Sequence, residues 1–298
     1  MASVGIVGAR GYTGKELVEL LSKHEGFKIE MAVSARDNLT AEDIAKPKLD
    51  AYVLALPNGA CQSYVDAILQ TRPDAVIVDI SADKRFDDNW VYGQPERLRA
   101  KIKGAKHISN PGCYATAMQL AIAPLRAWLT GPVNVFGVSG YSGAGTTPSP
   151  KNDPEVLKDN LLPYSLTNHM HEREVARQLD IQLCFMPHVA PFFRGIVCTT
   201  NVMFSEPHTL EEVTAAFEKA YGGEPLVKLK KDAPWVRDIM GQHHVEIGGI
   251  TMSPDNKRAV VVSTIDNLLG GAATQAVRNL NLAFGLPELA AISTTQGR

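Results

Sequence analysis

The chain has 298 residues, of which 45% are hydrophobic and 21% charged, as expected for a protein that buries a sizeable core. Its 30 basic and 32 acidic side chains give a formal net charge of −2, which argues against binding to nucleic acids or anionic membranes, since proteins of both classes usually carry a basic excess. At roughly 100–200 residues per domain, this length indicates two domains or one large one.

The longest apolar stretches are far shorter than the ~20 residues that a membrane span requires. The four cysteines have neither CxxC nor zinc-type spacing, which favours a reducing compartment. A strand-like run already begins at Val4, so no targeting peptide is expected. These features predict a soluble intracellular globular protein, and an enzyme.

The first third of the chain alternates short apolar runs with helical repeats. Nearly unbroken Val, Ile and Leu predict buried parallel strands over residues 4–7, 29–33, 52–56 and 75–80. Apolar residues at helical spacing predict helices over residues 13–23 and 61–70. This strand–helix–strand repetition implies right-handed crossovers and a doubly wound parallel sheet.

The remainder of the chain has a mixed pattern, which predicts a second, α+β domain. An apolar helix over residues 115–129 is interrupted by Pro124, and Thr209 with Glu212 forms a capping box before another helix that ends at Tyr221. Longer strands are predicted over residues 134–138, 182–185, 195–204 and 258–265. Apolar residues spaced by three and four predict a C-terminal helix over residues 273–284.

A glycine-rich loop, Gly8, Gly11 and Gly14, lies between the first strand and the first helix. Glycine lets a backbone approach a pyrophosphate closely, and a helix N-terminus offers free N–H groups to the anion. The spacing is GxxGxxG rather than GxGxxG, and a purely structural turn is the alternative. The strand–loop–helix context favours dinucleotide binding.

The end of the second strand indicates which nucleotide is bound. A site for NAD would place an acidic residue there, about 20 residues beyond the glycines. This chain has Ser34 and Arg36 instead, followed by Asp37. A hydroxyl and a guanidinium can take a 2′-phosphate, so NADP is predicted. The alternative for Arg36 is a solvated surface arginine.

Cys113 follows Asn110, Pro111 and Gly112, directly before an apolar helix. A helix N-terminus stabilises a thiolate, and the thiolate is the nucleophilic form of cysteine. A small buried hydrophobe is the alternative reading of any cysteine. That reading suits the other three, which lack this turn-to-helix context: Cys61, Cys184 and Cys198.

Two further segments could take part in chemistry. His188 and Arg194 are predicted to lie in a proline-fixed turn, where they could supply an acid/base group and an anion-binding fork. Residues 139–145, SGYSGAG, suit close backbone approach to an anion, with a flexible loop as the alternative. The HxHE pattern at His169 lacks a further ligand, so no metal is predicted.

These segments together resemble the N-acetyl-γ-glutamyl-phosphate reductases, arginine-biosynthesis relatives of the aspartate-semialdehyde dehydrogenases. PGCYAT combined with SGYSGAG and an H-x-x-P-x-x-R-G segment is far more specific than the glycine loop. Several stretches resemble the branch that includes the reductase part of fungal bifunctional mitochondrial enzymes. The matching stretches are residues 8–14, 55–59, 79–86, 92–96, 110–116, 139–145, 148–154, 168–174, 186–195 and 266–285.

The resemblance implies an α/β fold with a Rossmann-type parallel-sheet domain, a mixed α+β catalytic domain, and a C-terminal helix that returns to the first domain. With crossings near Pro111 and Asp266, the NADP-binding domain would comprise residues 1–112 and 267–298, and the catalytic and dimerisation domain residues 113–266. A cytoplasmic homo-oligomer, dimer or tetramer, is expected. The alternative location is the mitochondrial matrix.

The resemblance also implies the reaction and its residues. Cys113 would attack an acyl phosphate, a thioacyl enzyme would be reduced by NADPH, and His188 would act as the acid/base group. The residues expected to bind the cofactor are Gly8, Arg10, Gly11, Tyr12, Thr13, Gly14, Ser34, Arg36, Pro57, Asn58, Ser81 and Asn267. Those expected to bind the substrate are Ser142, Gly143, His169, Glu172 and Arg194.

Two rival functions stay open, together with one departure from the family pattern. The rivals are a related reductase acting on an aspartyl or aminoadipate acyl phosphate, and a non-catalytic NADP-binding regulator. The departure is Gly270, which stands where relatives usually have lysine. Because the residues around it predict a helix start, we expect Gly270→Lys to be tolerated and even stabilising.

Overall fold

A six-stranded parallel sheet is the centre of the first of two units in the structure, a computed structural model that describes residues 1–293. This unit comprises Met1–Gly112 and Ala272–Ser293. Its strands are β1 (Ala2–Val7), β2 (Phe27–Val33), β3 (Ala51–Leu54), β4 (Val76–Asp79), β5 (Val91–Tyr92) and β6 (His107–Ser109). Its first four helices are α1 (Tyr12–Ser22), α2 (Ala41–Ala45), α3 (Cys61–Thr71) and α4 (Pro95–Ile102).

The strand order β2-β1-β3-β4-β6-β5, with every pair parallel, confirms the predicted Rossmann-type sheet. Side chains of β3 and β4 are buried on both faces, as their unbroken apolar runs indicated. The order reverses at β1, because β2 lies on one side of it and β3 on the other. Loops at the carboxyl ends of β1 and β3 therefore flank a crevice of the kind that binds nucleotides.

The second unit, Cys113–Gly271, contains a mixed seven-stranded sheet. Its strands are β7 (Val133–Gly140), β8 (Leu162–Pro163), β9 (Leu183–Ala190), β10 (Ile196–Met203), β11 (Val227–Leu229), β12 (Val245–Met252) and β13 (Arg258–Ile265), in the order β11-β12-β13-β10-β7-β9-β8. The helices are α5 (Cys113–Ile122), α6 (Pro154–Leu157), α7 (Met170–Leu179), α8 (Leu210–Tyr221) and α9 (Val236–Ile239). The predicted α+β domain is confirmed.

One face of this sheet is covered and the other is open. Helix α5 packs on the covered face, where alternate residues of β7, β9 and β10 are buried in one apolar core. Phe136 and Met203 lie on the opposite face and are 40% and 39% exposed. The alternation of buried and exposed residues follows from the period of two along a strand.

Local signals in the sequence explain where the helices begin and end. Helix α5 ends at Ile122, before a 3₁₀ turn that contains Pro124, as the proline indicated. The predicted capping box of α8 is present: Thr209 Oγ1 accepts from Glu212 N at 3.2 Å, and the Glu212 carboxylate accepts from Thr209 N at 2.9 Å.

The last helix, α10 (Thr274–Ala283), belongs to the first unit, as predicted. It packs against α1, α4 and β4 of that unit. Its Arg278 is buried and forms ion pairs with Glu96 and, at 2.6 Å, with Glu288. The helix is preceded by a π-helical turn, Leu269–Ala273, where the sequence predicted a regular helix start. Within residues 1–293, no helix combines the length and the apolarity that crossing a membrane requires.

The predicted turn that contains His188 is wrong. The sequence placed His188 in a turn after a strand over residues 182–185, because two prolines flank it. The structure continues β9 through Pro187 to Ala190. Proline fits there because β9 has only the two-residue β8 on one side, and the Pro187 carbonyl still accepts from Tyr164 N at 3.2 Å.

Candidate active site

The glycine-rich loop after β1 forms a cradle that only glycine permits. Gly8 has a φ of +95°, and a Cβ there would lie 2.0 Å from Ala55 O. A Cβ on Gly14 would lie 2.1 Å from Gly8 O. Gly11 is the N-cap of α1, whose first residues are Tyr12 and Thr13. Exposed N–H groups at the N-terminus of α1 suit a pyrophosphate, so the loop fits a dinucleotide.

Loops after β2, β3 and β4 lie at the same edge of the parallel sheet as this cradle. They hold the other predicted cofactor residues of the first unit: Ser34, Arg36, Pro57, Asn58 and Ser81. The Asn58 amide oxygen accepts from Ala82 N at 3.0 Å, which fixes the loop after β3 against the loop after β4. Ser81 Oγ donates to Asp79 at 2.9 Å.

A carboxylate lies among the groups predicted to read the 2′ position of the ribose. Asp37 accepts from Ser34 N at 2.7 Å and from Ser34 Oγ at 3.0 Å, and pairs with Arg10 at 3.1 Å. The hydrogen bonds from Ser34, with the nearby Arg10 charge, hold the pKa of Asp37 below its usual value. Ser34 and Arg10 thus already contact an anion, whereas the Arg36 side chain is exposed.

In the second unit, Cys113 is the first residue of α5 and is partly exposed. A Cβ on Gly271 would lie 2.7 Å from Cys113 Cβ, so glycine is required beside it. The N–H groups of the first helical turn favour a thiolate at this position. The geometry therefore supports a nucleophile at Cys113.

His188 lies on the other face of the sheet from α5. Its ring packs 4.6 Å from that of Phe136 on the open face, and its Nδ1 is 3.2 Å from Met186 O. Phe185, on the covered face, packs 4.9 Å from Tyr114 of α5. Strand alternation thus directs the His188 imidazole away from the face that bears Cys113. The role of His188 as the acid/base partner of Cys113 stays a prediction, and this placement does not favour it.

Other titratable groups share the covered face with Cys113. The Tyr114 hydroxyl donates to His188 O at 3.0 Å, so only the backbone of His188 reaches this side. His171, on the same side of α7 as the buried Val175, has its ring 6.0 Å from that of Tyr114. The sequence analysis missed His171 because it did not predict α7, although position 171 has helical spacing with Val175 and Leu179, which are buried.

Tyr164 and His169 complete this cluster, with ring centroids 5.5 Å apart. Burial and the nearby charge of Cys113 raise the pKa of Tyr164. Burial, with the positive charges of Lys151 and Arg173, lowers the pKa of His169 to about 4. His169 is therefore neutral at pH 7. Its Nδ1 caps α7 by accepting from His171 N at 3.1 Å, which leaves the proton on Nε2.

A buried network holds the loop of residues 139–145 in place. The Asn267 amide donates to Ser142 Oγ at 2.9 Å and accepts from Gly195 N at 2.8 Å. Arg194 donates to the fully buried Asp266 at 2.6 and 2.9 Å. A Cβ on Gly143 would lie 3.0 Å from a hydroxyl oxygen, that of Ser139. These contacts fix Arg194 and Asn267 within the second unit.

Glu172, predicted to bind substrate, has both carboxylate oxygens in backbone contacts. They accept from Asn168 N at 2.9 Å and from Phe185 N at 2.8 Å. The side chain thus joins the start of α7 to β9. This contact orients the segment that carries His169 and His171.

The structure does not support the expectation for Gly270, which assumed a regular helix start. A Cβ there would lie 3.0 Å from His243 O and 3.2 Å from Ile265 Cγ1. A side chain at this position requires the neighbouring backbone to shift. Gly270→Lys therefore has no evident stabilising effect.

Family models match both units. The model described as the NAD-binding domain of semialdehyde dehydrogenases matches residues 3–105, and that described as their dimerisation domain matches residues 113–267. A Stenotrophomonas maltophilia protein named N-acetyl-gamma-glutamyl-phosphate reductase is 52% identical, over 97% of this chain and 98% of its own length. A Xylella fastidiosa protein of the same name is 51% identical, over 97% and 94%.

Solved structures share the fold at low identity. Aspartate semialdehyde dehydrogenase II from Vibrio cholerae, complexed with ASA, has a TM-score of 0.75 and 18% identity, over 96% of this chain and 98% of that chain. Aspartate semialdehyde dehydrogenase with NADP from Candida albicans has a TM-score of 0.70 and 15% identity, over 96% and 99%. At such identities the likeness concerns the fold alone.

The lowered pKa of His169 predicts a specific loss of stability in acid. Between pH 6.5 and about 4 the unfolded chain binds a proton at His169 that the folded protein does not, so stability falls as the pH falls. His169→Asn keeps a capping acceptor for α7 but cannot titrate. Between pH 7 and pH 4.5, the wild type should lose about 1–3 kcal/mol more unfolding free energy than the variant.

Urea denaturation at a series of pH values measures this difference. His208→Asn is the control, because the His208 side chain stacks on Trp128, away from the cluster around His169. It should leave the acid slope unchanged. Parallel curves for wild type and His169→Asn would contradict the assignment.

Proposed function

The chain belongs to the N-acetyl-γ-glutamyl-phosphate reductases, within the semialdehyde dehydrogenase family, and on that premise we propose that it reduces N-acetyl-γ-glutamyl phosphate to N-acetylglutamate 5-semialdehyde and phosphate. The resemblance seen in the sequence motifs is confirmed. The observation that carries the proposal is identity of 52% over 97% of the chain, which extends across both units.

Cys113 is the nucleophile of the proposed reaction. Its thiolate attacks the acyl carbon, the C–O bond to phosphate breaks, and phosphate leaves with the electron pair, which gives a thioacyl enzyme. The nicotinamide, when bound, supplies the hydride that reduces this thioester. The thiohemiacetal formed on Cys113 then loses its hydroxyl proton, the C–S bond breaks, and the aldehyde and the thiolate are released.

His171 is the acid/base group that we propose in place of His188. It lies on the face that bears Cys113, beside Tyr114, and it extends from a helix whose start is fixed by the His169 cap and the Glu172 contacts. It would protonate the developing oxyanion during reduction and take the proton back during collapse. His169 suits hydrogen-bond donation from Nε2 instead, because its pKa of about 4 keeps it neutral.

Ser142, Gly143 and Arg194 are proposed to border the substrate site. Two of the Arg194 nitrogens are held by Asp266, so its contribution is a fixed position rather than a mobile charge. The Ser142 hydroxyl oxygen accepts from Asn267, so its own O–H can still donate to an anion. Backbone close to Gly143 allows an acyl phosphate to approach without a side chain in the way.

NADPH is the proposed cofactor. The cradle formed by Gly8 and Gly14 leaves no room for side chains, as close contact with a pyrophosphate requires. Arg36, exposed at the end of β2, supports recognition of the 2′-phosphate. The Candida albicans relative, a fold-level neighbour, was solved with NADP.

We further propose a homo-oligomer that buries the open face of the seven-stranded sheet. The family model matched by residues 113–267 is described as a dimerisation domain. Phe136 and Met203 leave large apolar side chains exposed on this face, and His188 packs beside Phe136. Burying such a patch against a second copy would remove it from water.

Substrate assays in the phosphate-dependent reverse direction test the function as a whole. We expect turnover of N-acetylglutamate 5-semialdehyde to exceed that of the aspartyl and aminoadipate semialdehydes. Preference for either of those would favour a related reductase. NADPH binding without any turnover would favour a non-catalytic regulator.

Cys113→Ser should lower kcat by more than ~10³-fold, because a serine hydroxyl is not ionised near neutral pH and forms no thioester. Iodoacetamide should inactivate the wild type by modifying Cys113, and the acyl phosphate should protect it. The control is Cys184→Ser, at an exposed cysteine of β9, which should keep full activity. Full activity in Cys113→Ser would refute the mechanism.

His171→Gln should lower kcat by roughly 10²–10⁴-fold with little change in KM, and should remove one ionisation from the pH profile of kcat. His188→Gln should leave kcat and this ionisation unchanged, since the His188 side chain lies on the opposite face of the sheet. The reverse result, with the ionisation lost only in His188→Gln, would restore His188 as the acid/base group.

Arg36→Ala should raise KM for NADPH roughly tenfold to a hundredfold, the effect of losing one charge-assisted contact, and should change KM for NADH little. Initial rates with each cofactor at saturating acyl phosphate give both constants. Lys28→Ala removes another exposed cation of β2 and serves as the control. Equal effects of Arg36→Ala on both cofactors would show that Arg36 does not read the 2′-phosphate.

A further inference from the structure

Lys151 is held in a fixed position by the loop that contains it. It lies in the 3₁₀ turn Pro150–Asn152, and its Nζ is 5.1 Å from the centroid of the Tyr164 ring. The Asn152 amide donates to Gly145 O at 2.9 Å and to Thr147 O at 2.8 Å, and accepts from Ser149 N at 2.8 Å. The turn is therefore joined directly to the end of the SGYSGAG loop.

The ammonium group of Lys151 has no carboxylate partner. Within residues 1–293, no carboxylate oxygen lies within 4.0 Å of its Nζ, although the residue is only partly exposed. Lys84, the most buried of the ion-paired lysines, has Asp87 at 3.9 Å. An ammonium group without a carboxylate partner is available to pair with an anionic ligand.

Two aromatic rings lie between this cation and the surroundings of the nucleophile. Tyr164 lies under Lys151 and packs edge-on to His169, and burial together with the nearby charge of Cys113 raises the pKa of its phenol. The Lys151 charge also acts on His169, whose pKa it helps to lower. All four residues belong to the second unit, and the His169 ring lies 5.3 Å from that of Phe185 on the covered face of its sheet.

The substrate of the proposed function has a matching anion. Four C–C bonds separate its acyl carbon from its α-carboxylate carbon, a distance of about 5 Å in an extended chain. When the acyl carbon is bonded to Cys113 Sγ, the carboxylate carbon therefore lies about 5 Å beyond that acyl carbon. A carboxylate moved out of water at that distance needs a charged partner.

We propose that Lys151 binds the α-carboxylate of the substrate and so selects acyl phosphates that carry this second anion. This inference rests on the proposed function, and it assigns a specificity role to a residue outside the reacting groups. The Tyr164 ring positions the ammonium through a cation–π contact, and the Asn152 contacts prevent the turn from moving away.

The test compares two aldehydes in the phosphate-dependent reverse reaction of the full-length enzyme. One is N-acetylglutamate 5-semialdehyde, and the other is 4-acetamidobutanal, which is the same molecule without the carboxylate. Lys151→Met should raise KM for the first roughly tenfold to a hundredfold and leave kcat unchanged. It should change KM for the second less than about twofold. Lys151→Arg should keep most of the preference for the first.

Lys158→Met, at an exposed lysine of the same segment, is the matched control and should change neither constant. A binding measurement independent of chemistry uses N-acetylnorvaline, which keeps the carboxylate but has no aldehyde. Its inhibition constant should rise in Lys151→Met by the same factor as KM. N-butylacetamide, which lacks the carboxylate, should bind the wild type and Lys151→Met equally.

Equal effects of Lys151→Met on both aldehydes, or no effect on either, would overturn the Lys151 assignment while leaving the reductase function intact. A wild type that does not turn over N-acetylglutamate 5-semialdehyde would overturn the proposed function itself, and the Lys151 assignment with it. The inhibition constants of N-acetylnorvaline separate a loss of carboxylate binding from general damage to the site, because N-butylacetamide reports the damage alone.

Discussion

The alternation of side chains along a β-strand is the constraint on which the second unit depends. Phe185 of β9 packs under α5, whereas His188, three residues later, packs against Phe136 on the other face of the sheet. A register shift of one residue would exchange the two sets. The covered face thus holds Cys113 and the groups around it, and the open face is available to a second copy of the chain.

The loops of the second unit are held in place by buried polar groups whose hydrogen bonds are satisfied. Asp266 is completely buried and accepts from the Arg194 guanidinium and from the backbone N–H groups of Gly241, Leu268 and Leu269. A buried carboxylate left without these donors would cost several kcal/mol, so the segments that supply them are held together. Asn267 extends the same network to the Ser142 loop.

The sequence contained enough information for the first unit and for Cys113, because both depend on local signals. Glycine at positions 8 and 14 is required by close backbone contacts, and the turn-to-helix context predicted the position of Cys113 at the start of α5. The site around Cys113 depends instead on pairings far apart in sequence. The sequence predicted a turn at His188 because prolines flank it. The strand β9 nevertheless continues through Pro187, because the neighbouring β8 is short and few N–H groups are needed on that side.

The charged groups of the second unit indicate that different residues bind the substrate and carry out the reaction. Arg194 is neutralised by Asp266, and burial keeps His169 neutral at pH 7, whereas Lys151 has no carboxylate partner within residues 1–293. A group that holds the α-carboxylate contacts substrate, transition state and aldehyde alike, because that carboxylate does not change during the reaction. Such uniform binding lowers KM without raising kcat. The rate therefore depends on Cys113 and its proton partner, whereas Lys151 determines which acyl phosphate reaches them.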